Sequence, residues 1–334
     1  ALIKTLMSRI PDVDWHMLIE QACVLTLTAH REGEPVLHIG TLEDKPMTYL
    51  LEPLIQNNQA NLLYGAGGIG KSYLAMLFAL MVNYGKEHMG FATLRQPTLY
   101  LDFETSPEVV NSRIRELAQG LDLPQPDLLY RFSTQPLAYD IAEIQRIVLR
   151  EHIGLVVVDS VGLACGGEPE KAESIIRYFA ALRSLRIASL SVDHVAKNGD
   201  GSTPFGSVYK INLARNVWEV RASRPDDDEK LNIGLYHRKV NQGKLRTAIG
   251  VEVLFYEGTV STNSIDVKTD TELVKALTLR VRIEQSLKTG GLSVPELAGL
   301  LEVKQDLVRN TLNRNRKSFV KIGDNKWGLL SKGL

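Results

Sequence analysis

Cysteine is scarce in this 334-residue sequence: only Cys23 and Cys165 occur, far apart and without metal-ligand spacing. That excludes a disulfide scaffold or a cysteine-held metal and points to free thiols in a reducing compartment. An excess of either charge is also lacking, because Lys+Arg and Asp+Glu balance at 39 each. No global field therefore favours nucleic acid or a membrane surface, and any basic patch must be local. No apolar run reaches the roughly 18 residues of a membrane span, and no charged-then-apolar leader opens the chain. A cytoplasmic protein with no membrane partner is expected. The first residue is Ala1 rather than methionine, so domains upstream of this chain, such as a primase, are conceivable. What is present is core-forming material: 44% hydrophobic and 23% charged residues, sufficient at this length for about two domains.

The pattern divides the chain into four parts. Residues 1–58 read as a helical lead-in, with "VDWHMLIEQACVLTLTAH" followed by a Gly/Glu/Pro-rich break, expected to pack on the next domain or on a neighbouring subunit. Residues 59–261 alternate short apolar runs ("ANLLYG", "TLYLDFE", "LLYRFS", "IGLVVVDS", "IASLSVDH", "NVWEVRA", "LNIGLYHRK", "AIGVEVLF") with amphipathic stretches such as "SPEVVNSRIRELAQGL" and "EKAESIIRYFAALRSL". Runs that are apolar throughout indicate strands buried on both faces, hence an α/β domain with a mainly parallel sheet. The last runs have no helices between them, so the sheet is expected to finish antiparallel. The polar stretch 262–271 reads as a linker, and 272–334 as a second, smaller domain.

"NLLYGAGGIGKSYLAML" carries four glycines and a lysine in seven positions between a strand pattern and a helix pattern. Gly65, Gly70, Lys71 and Ser72 match G-x-x-x-x-G-K-[ST] in its required context. Such a loop turns successive backbone N–H groups onto a phosphate chain, and the following helix adds the positive end of its dipole. The expected binding residues are Gly65, Ala66, Gly67, Gly68, Ile69, Gly70, Lys71, Ser72 and Tyr73. Lys71 is expected to reach the β- and γ-phosphates and Ser72 to ligate Mg²⁺, which makes a nucleoside triphosphate with Mg²⁺ the expected ligand, ATP by the resemblance described below.

Further polar groups end other strands. Asp159 closes "GLVVVDS", where a carboxylate can hold the Mg²⁺ hydration shell. Asp102 and Glu104 lie two apart on one strand and so point the same way. Glu104, nearest the strand exit, is the candidate to polarise a water, although either acid could instead cap the following helix. His194 ends "LSVDH" ahead of a loop, either as a sensor of the γ-phosphate or as an ordinary core histidine.

Taken in order, the glycine-rich loop, "LDFE", "VVVDS", "SVDHVAKNGDGSTPFGS", "NLARNVWEV" and "HRKVNQGK" resemble the RecA-like hexameric replicative helicases, plasmid RepA-type and DnaB-type. The resemblance covers roughly residues 45–258. It implies a RecA-like P-loop NTPase in which Glu104 is the catalytic glutamate, Asp159 the Mg²⁺-associated aspartate and His194 the γ-phosphate sensor. The loop from Lys197 to Ser207 would face a central channel and touch single-stranded DNA, with Lys197 and Lys210 on phosphates. DnaB-type relatives donate Lys-x-Arg to a neighbour's nucleotide. Here Lys239 fits the lysine but Asn241 replaces the arginine, leaving Lys239, Arg238 or Arg215 as the trans-acting cation.

From Lys268 to Leu334 there are 13 Lys/Arg against 7 Asp/Glu, a local excess of +6. Ser293, Pro295 and Glu296 mark a helix start, and "GDN" between "FVKI" and "KWGLL" marks a hairpin. Three helices and a hairpin resemble a winged helix-turn-helix. Its second helix region carries Lys304, Arg309, Asn310, Asn313, Arg314, Arg316 and Lys317, suited to DNA contacts, while a protein-docking role for the same domain stays open. The expectation is a homo-oligomeric, hexameric ATP-dependent DNA helicase or translocase of a plasmid, phage or other mobile element, with duplex origin DNA or a replication protein as a further partner. The alternative is an ATP switch that loads a helicase or regulates DNA without unwinding it. A small-molecule kinase is a third reading, weakened by the absence of an arginine-rich lid.

Overall fold

The short apolar runs lack polar alternation because both their faces are covered. The computed structural model describes residues 2–32, 36, 38–40, 46–195, 209–225, 228–323 and 325–330. It separates into two units, Ala1–Pro46 and Met47–Leu334. In the first, α1 (Leu2–Arg9) and α2 (Trp15–Glu32) are joined by a short turn. There Asp14 accepts the Met17 N–H at 3.0 Å, capping α2, and Trp15 Nε1 donates to the Ile10 carbonyl at 2.9 Å.

The second unit begins earlier than the sequence pattern suggests, which corrects the boundary at 58. β1 (Tyr49–Leu51) and β2 (Ile55–Gln56) pair antiparallel, and Leu50, Leu51, Leu54 and Ile55 are buried in the main core. A polar knot holds them there. The fully buried Asn61 side chain accepts the Gln56 N–H at 2.8 Å and donates to the carbonyls of Gln56 and Ser189, each at 3.0 Å. Asn216 donates to the Leu54 carbonyl at 2.8 Å. Buried amides satisfied in this way impose a single arrangement on the segment, because every partner lost would leave a desolvated polar atom.

The chain then runs through β3 (Ala60–Gly65), α3 (Lys71–Tyr84), β4 (Thr98–Asp102), α4 (Pro107–Gly120), β5 (Leu129–Phe132), α5 (Leu137–Arg150) and β6 (Leu155–Asp159). There follow α6 (Val161–Ala164), α7 (Ala172–Ser184), β7 (Ala188–His194), α8 (Tyr209–Leu213), β8 (Asn216–Ser223), β9 (Lys230–Val240), β10 (Ile249–Tyr256) and β11 (Thr259–Ile265). Nine strands form one sheet in the order β11-β10-β9-β8-β3-β7-β6-β4-β5. The strands from β8 to β5 are parallel, whereas β9, β10 and β11 are antiparallel. The α/β fold with a mostly parallel sheet is therefore as expected, including its antiparallel finish. β6 shows why the run is apolar throughout: Leu155 and Val157 face the core with α3 and α4, and Val156 and Val158 face the core with α5 and α7. Each such side chain contributes about 1.5–3 kcal/mol on burial.

β11 corrects the linker expected at 262–271, because residues 259–265 pair with β10 throughout and Thr262 is buried. An edge strand needs only one apolar face, so "TVSTNSI" carries too little hydrophobic signal to be read as a strand. After a 3₁₀ turn (Leu273–Ala276) come α9 (Leu279–Ser286), β12 (Leu292–Ser293), α10 (Val294–Leu301), α11 (Gln305–Arg314), β13 (Phe319–Ile322) and β14 (Lys326–Leu329). They share a separate core of Ile283, Leu287, Leu297, Leu301, Val308, Leu312, Phe319 and Trp327. Ser293 and Glu296 form a reciprocal capping box at the start of α10. Among the described residues no helix is long and apolar enough to cross a membrane.

Candidate nucleotide-binding site

The carboxyl edge of the parallel strands collects the polar groups. In register, Gly65 lies beside His194, and Asp102 beside Asp159. The loop from Gly65 to Gly70 leaves β3 and enters α3 at Lys71. Its glycines are required by space and by backbone. A Cβ on Gly65 would lie 2.4 Å from the Val220 carbonyl oxygen, and Gly68 and Gly70 have φ of 72° and 83°. Gly67 has open space around it, Ile69 packs on the core, and the Tyr73 ring stands edge-on to Phe255 at 5.3 Å with Arg113 over its face. Of Tyr73, this leaves the backbone to meet phosphate.

Lys71 is buried, and its ammonium folds back on its own loop, donating to the carbonyls of Gly65 at 3.0 Å and Ala66 at 2.5 Å. It also lies 3.2 Å from His194 Nδ1, while His194 Nε2 lies 3.3 Å from Glu104 Oε1. A lysine ammonium can only donate, so Nδ1 accepts and Nε2 carries the proton given to Glu104. The result is a hydrogen-bonded chain from lysine through imidazole to carboxylate. Burial pulls the Lys71 pKa down to about 8 against the opposing pull of Asp159, Glu104 and Asp193. The His194 hydrogen bond, with help from Ser160, holds Glu104 below the usual carboxylate range.

Asp102 separates from Glu104 in role. It is buried and accepts the N–H groups of Glu104 and Thr105 at 3.0 and 3.1 Å, the Thr105 hydroxyl at 2.7 Å and the Tyr130 hydroxyl at 3.0 Å. It therefore shapes the turn that presents Glu104. Asp159 is buried, its pKa raised by desolvation, and its Oδ1 has no hydrogen-bond partner. A buried carboxylate with one oxygen unpartnered, and with the Ser72 hydroxyl acting on it, fits a hydrated Mg²⁺ accompanying nucleotide: Ser72 would ligate the ion and Asp159 would hold its water shell.

Two groups at this edge carry no expectation from the sequence. Ser160 donates to Glu104 Oε1, and Tyr100 donates to Asp159 Oδ2 at 2.7 Å. The period-two spacing of Tyr100, Asp102 and Glu104 is a signal that could have found the tyrosine.

Other expected residues lie elsewhere. Lys239 sits toward the opposite end of the sheet, in register with Val217 and Leu62, whereas Arg238 reaches Glu219, the register partner of Tyr64 next to the loop. Lys239 donates to the carbonyls of Ile211, Asn212 and Ala214 at 2.8–2.9 Å, closing the end of α8. Arg238 is ion-paired to Glu219 at 2.6 Å and donates to the Ala276 carbonyl at 3.1 Å. Arg215 is exposed at the start of β8, and among the described residues its side chain has no ion pair or hydrogen bond. Lys210, expected on DNA phosphate, is corrected: it is fully buried, 2.9 Å from Asp193 Oδ2, because a buried carboxylate on β7 requires a partner. Lys197 and the loop to Ser207 lie outside the described residues. Arg309, Arg314, Arg316 and Lys317 are exposed, with Arg309 paired to Asp306 at 2.9 Å.

A phosphate-cradling loop, a lysine at a helix start and a sheet edge gathering Glu104, Asp159 and His194 define a P-loop ATPase site on a mostly parallel α/β sheet. The chain belongs to the AAA_25 family, described as an AAA domain, which matches residues 29–200 and so spans every group of this edge. Among solved structures it is similar to a KaiC-like protein of Pyrococcus horikoshii OT3, at 13% identity and a TM-score of 0.45, over 64% of this chain and 93% of that one. No curated protein matches the chain.

Proposed function

We propose that the chain is an ATP-hydrolysing DNA translocase or helicase that works as a ring of copies, six by the resemblance, in replication of a mobile element. The observation that supports it is the double contact of His194 with Lys71 and Glu104. A residue that meets both the phosphate-binding lysine and the candidate base feels the loss of the γ-phosphate, and it stands at the head of the segment read as the DNA-touching loop. In this reading Glu104 orients the attacking water, Lys71 and the loop N–H groups hold the phosphates, and Mg²⁺ supplies charge neutralisation when bound.

The site would be completed by a second copy. Lys239 pairs with Val217 and, through it, with Leu62, whereas Gly65 pairs with Val220. Arg215 precedes Asn216, the partner of Asn61. These cations therefore lie roughly 10–17 Å along the strands from the loop, and a cation so placed serves only a neighbour's nucleotide. Arg215 is the best candidate because Lys239 and Arg238 are held inward. The segment 272–334 would act as a winged helix on duplex DNA. A groove of about 510 Å³ there is lined by Gln305, Arg309 and Asn313 of α11 together with Lys321 and Trp327 of the hairpin.

The alternative, an ATP switch that loads a helicase, draws support from the same inward ties of Lys239 and Arg238, which would leave turnover slow. The test is the ATPase rate per subunit against protein concentration, with and without single-stranded DNA, for wild type and Arg215→Ala, together with strand separation on a forked duplex. A rate that rises with concentration and DNA, falls in the variant and accompanies unwinding supports the translocase. DNA-stimulated turnover without unwinding moves the reading to the loader.

A further inference from the structure

The two carboxylate oxygens of Asp159 have different surroundings. Oδ2 accepts the Tyr100 hydroxyl at 2.7 Å, while Oδ1 is buried without a hydrogen-bond partner. Tyr100 is fully buried on β4, in register with Val157 of β6, so its ring is part of the core and its hydroxyl reaches past Val157 to the strand end. A phenylalanine would bury the same ring. The hydroxyl is an added polar group in an apolar layer, and among the described residues it is spent on this one carboxylate oxygen.

A carboxylate with one oxygen fixed has lost the rotation that would interchange its oxygens, and the free oxygen then keeps one direction. We propose that Tyr100 is a positioning residue for the metal half of the site: by occupying Oδ2 it presents Oδ1 of Asp159 to the hydration shell of the divalent cation that accompanies nucleotide. The inference rests on the reading of Asp159 as the metal-associated carboxylate. It predicts a residue that matters to metal-dependent nucleotide affinity and not to nucleotide affinity as such, since the loop and Lys71 hold phosphate without it.

The test is equilibrium binding of a fluorescent ADP to the full chain, in EDTA and in Mg²⁺, for wild type, Tyr100→Phe, Asp159→Asn and the double variant. Tyr100→Phe should keep the wild-type affinity in EDTA, which also reports that it folds, and lose about three- to tenfold of the gain that Mg²⁺ brings, as expected for one charge-assisted hydrogen bond. In the Asp159→Asn background the tyrosine substitution should change nothing further, because the two act as one unit. Equal losses in EDTA and in Mg²⁺ would mean a packing role only and overturn the inference. A full Mg²⁺ gain in Tyr100→Phe, with that gain lost in Asp159→Asn, would overturn it while leaving the metal assignment standing. A full gain in Asp159→Asn would remove the assignment itself.

Discussion

Filling the site with a triphosphate should move a proton as well as an anion. Lys71 is buried, with its pKa lowered to about 8 by desolvation. A phosphate chain placed against the ammonium restores the charged form and returns the pKa to the ordinary lysine range, about 10.4. Nucleotide binding should therefore take up about 0.1 proton at pH 7, about 0.5 at pH 8 and about 0.9 at pH 9, and the Kd should weaken about tenfold from pH 7 to pH 9. The assay is calorimetric titration with a non-hydrolysable ATP analogue and Mg²⁺ in buffers of different ionisation enthalpy, where the buffer-dependent heat counts the protons. No uptake at pH 9, or a Kd flat across this range, would refute the argument from burial. The same shift has a sign for stability. The folded pKa lies below the unfolded one, so the cost of burying the charged ammonium is present below pH 8. It is relieved as pH rises from about 8 towards 10.5, by on the order of 3 kcal/mol. That window belongs to the empty site and should shrink with nucleotide bound.

Glu104→Gln should keep nucleotide affinity within a few-fold and lower single-turnover hydrolysis by about 10²–10⁴, as expected for loss of a general base; equal losses in binding would place Glu104 in the grip instead. Lys210→Ala strands Asp193 as an unpaired buried charge and should cost about 3–5 kcal/mol in urea unfolding, with partial recovery in the double variant Asp193→Asn/Lys210→Met. Gly65→Ala puts a methyl 2.4 Å from the Val220 carbonyl oxygen. The backbone must shift there, so nucleotide affinity should fall at least about tenfold and stability by about 1–3 kcal/mol, measured by the same titration and by thermal unfolding.

The sequence determined by itself whatever depends on local spacing. The phosphate loop was legible because its glycines answer to backbone space and to φ near 72–83°, requirements met by neighbours in the chain. The buried strands were legible because both-face burial leaves an apolar run, and the gathering of Lys71, Asp159, Glu104 and His194 followed from a parallel sheet bringing strand ends to one edge. Tertiary structure decided what each charged or hydroxyl side chain meets. Lys210 read as a surface cation until β7 placed Asp193 against it, and Lys239 and Arg238 until α8 and β8 placed carbonyls and Glu219 within reach. Asp102 and Glu104 are indistinguishable as a spacing of two, yet one turns back into its own loop while the other meets His194. Polar edge strands such as β11, and the Tyr100 hydroxyl on Asp159, escape pattern reading for the same reason: the partner comes from another strand, and which strand lies adjacent is settled by the order of the sheet and not by distance along the chain.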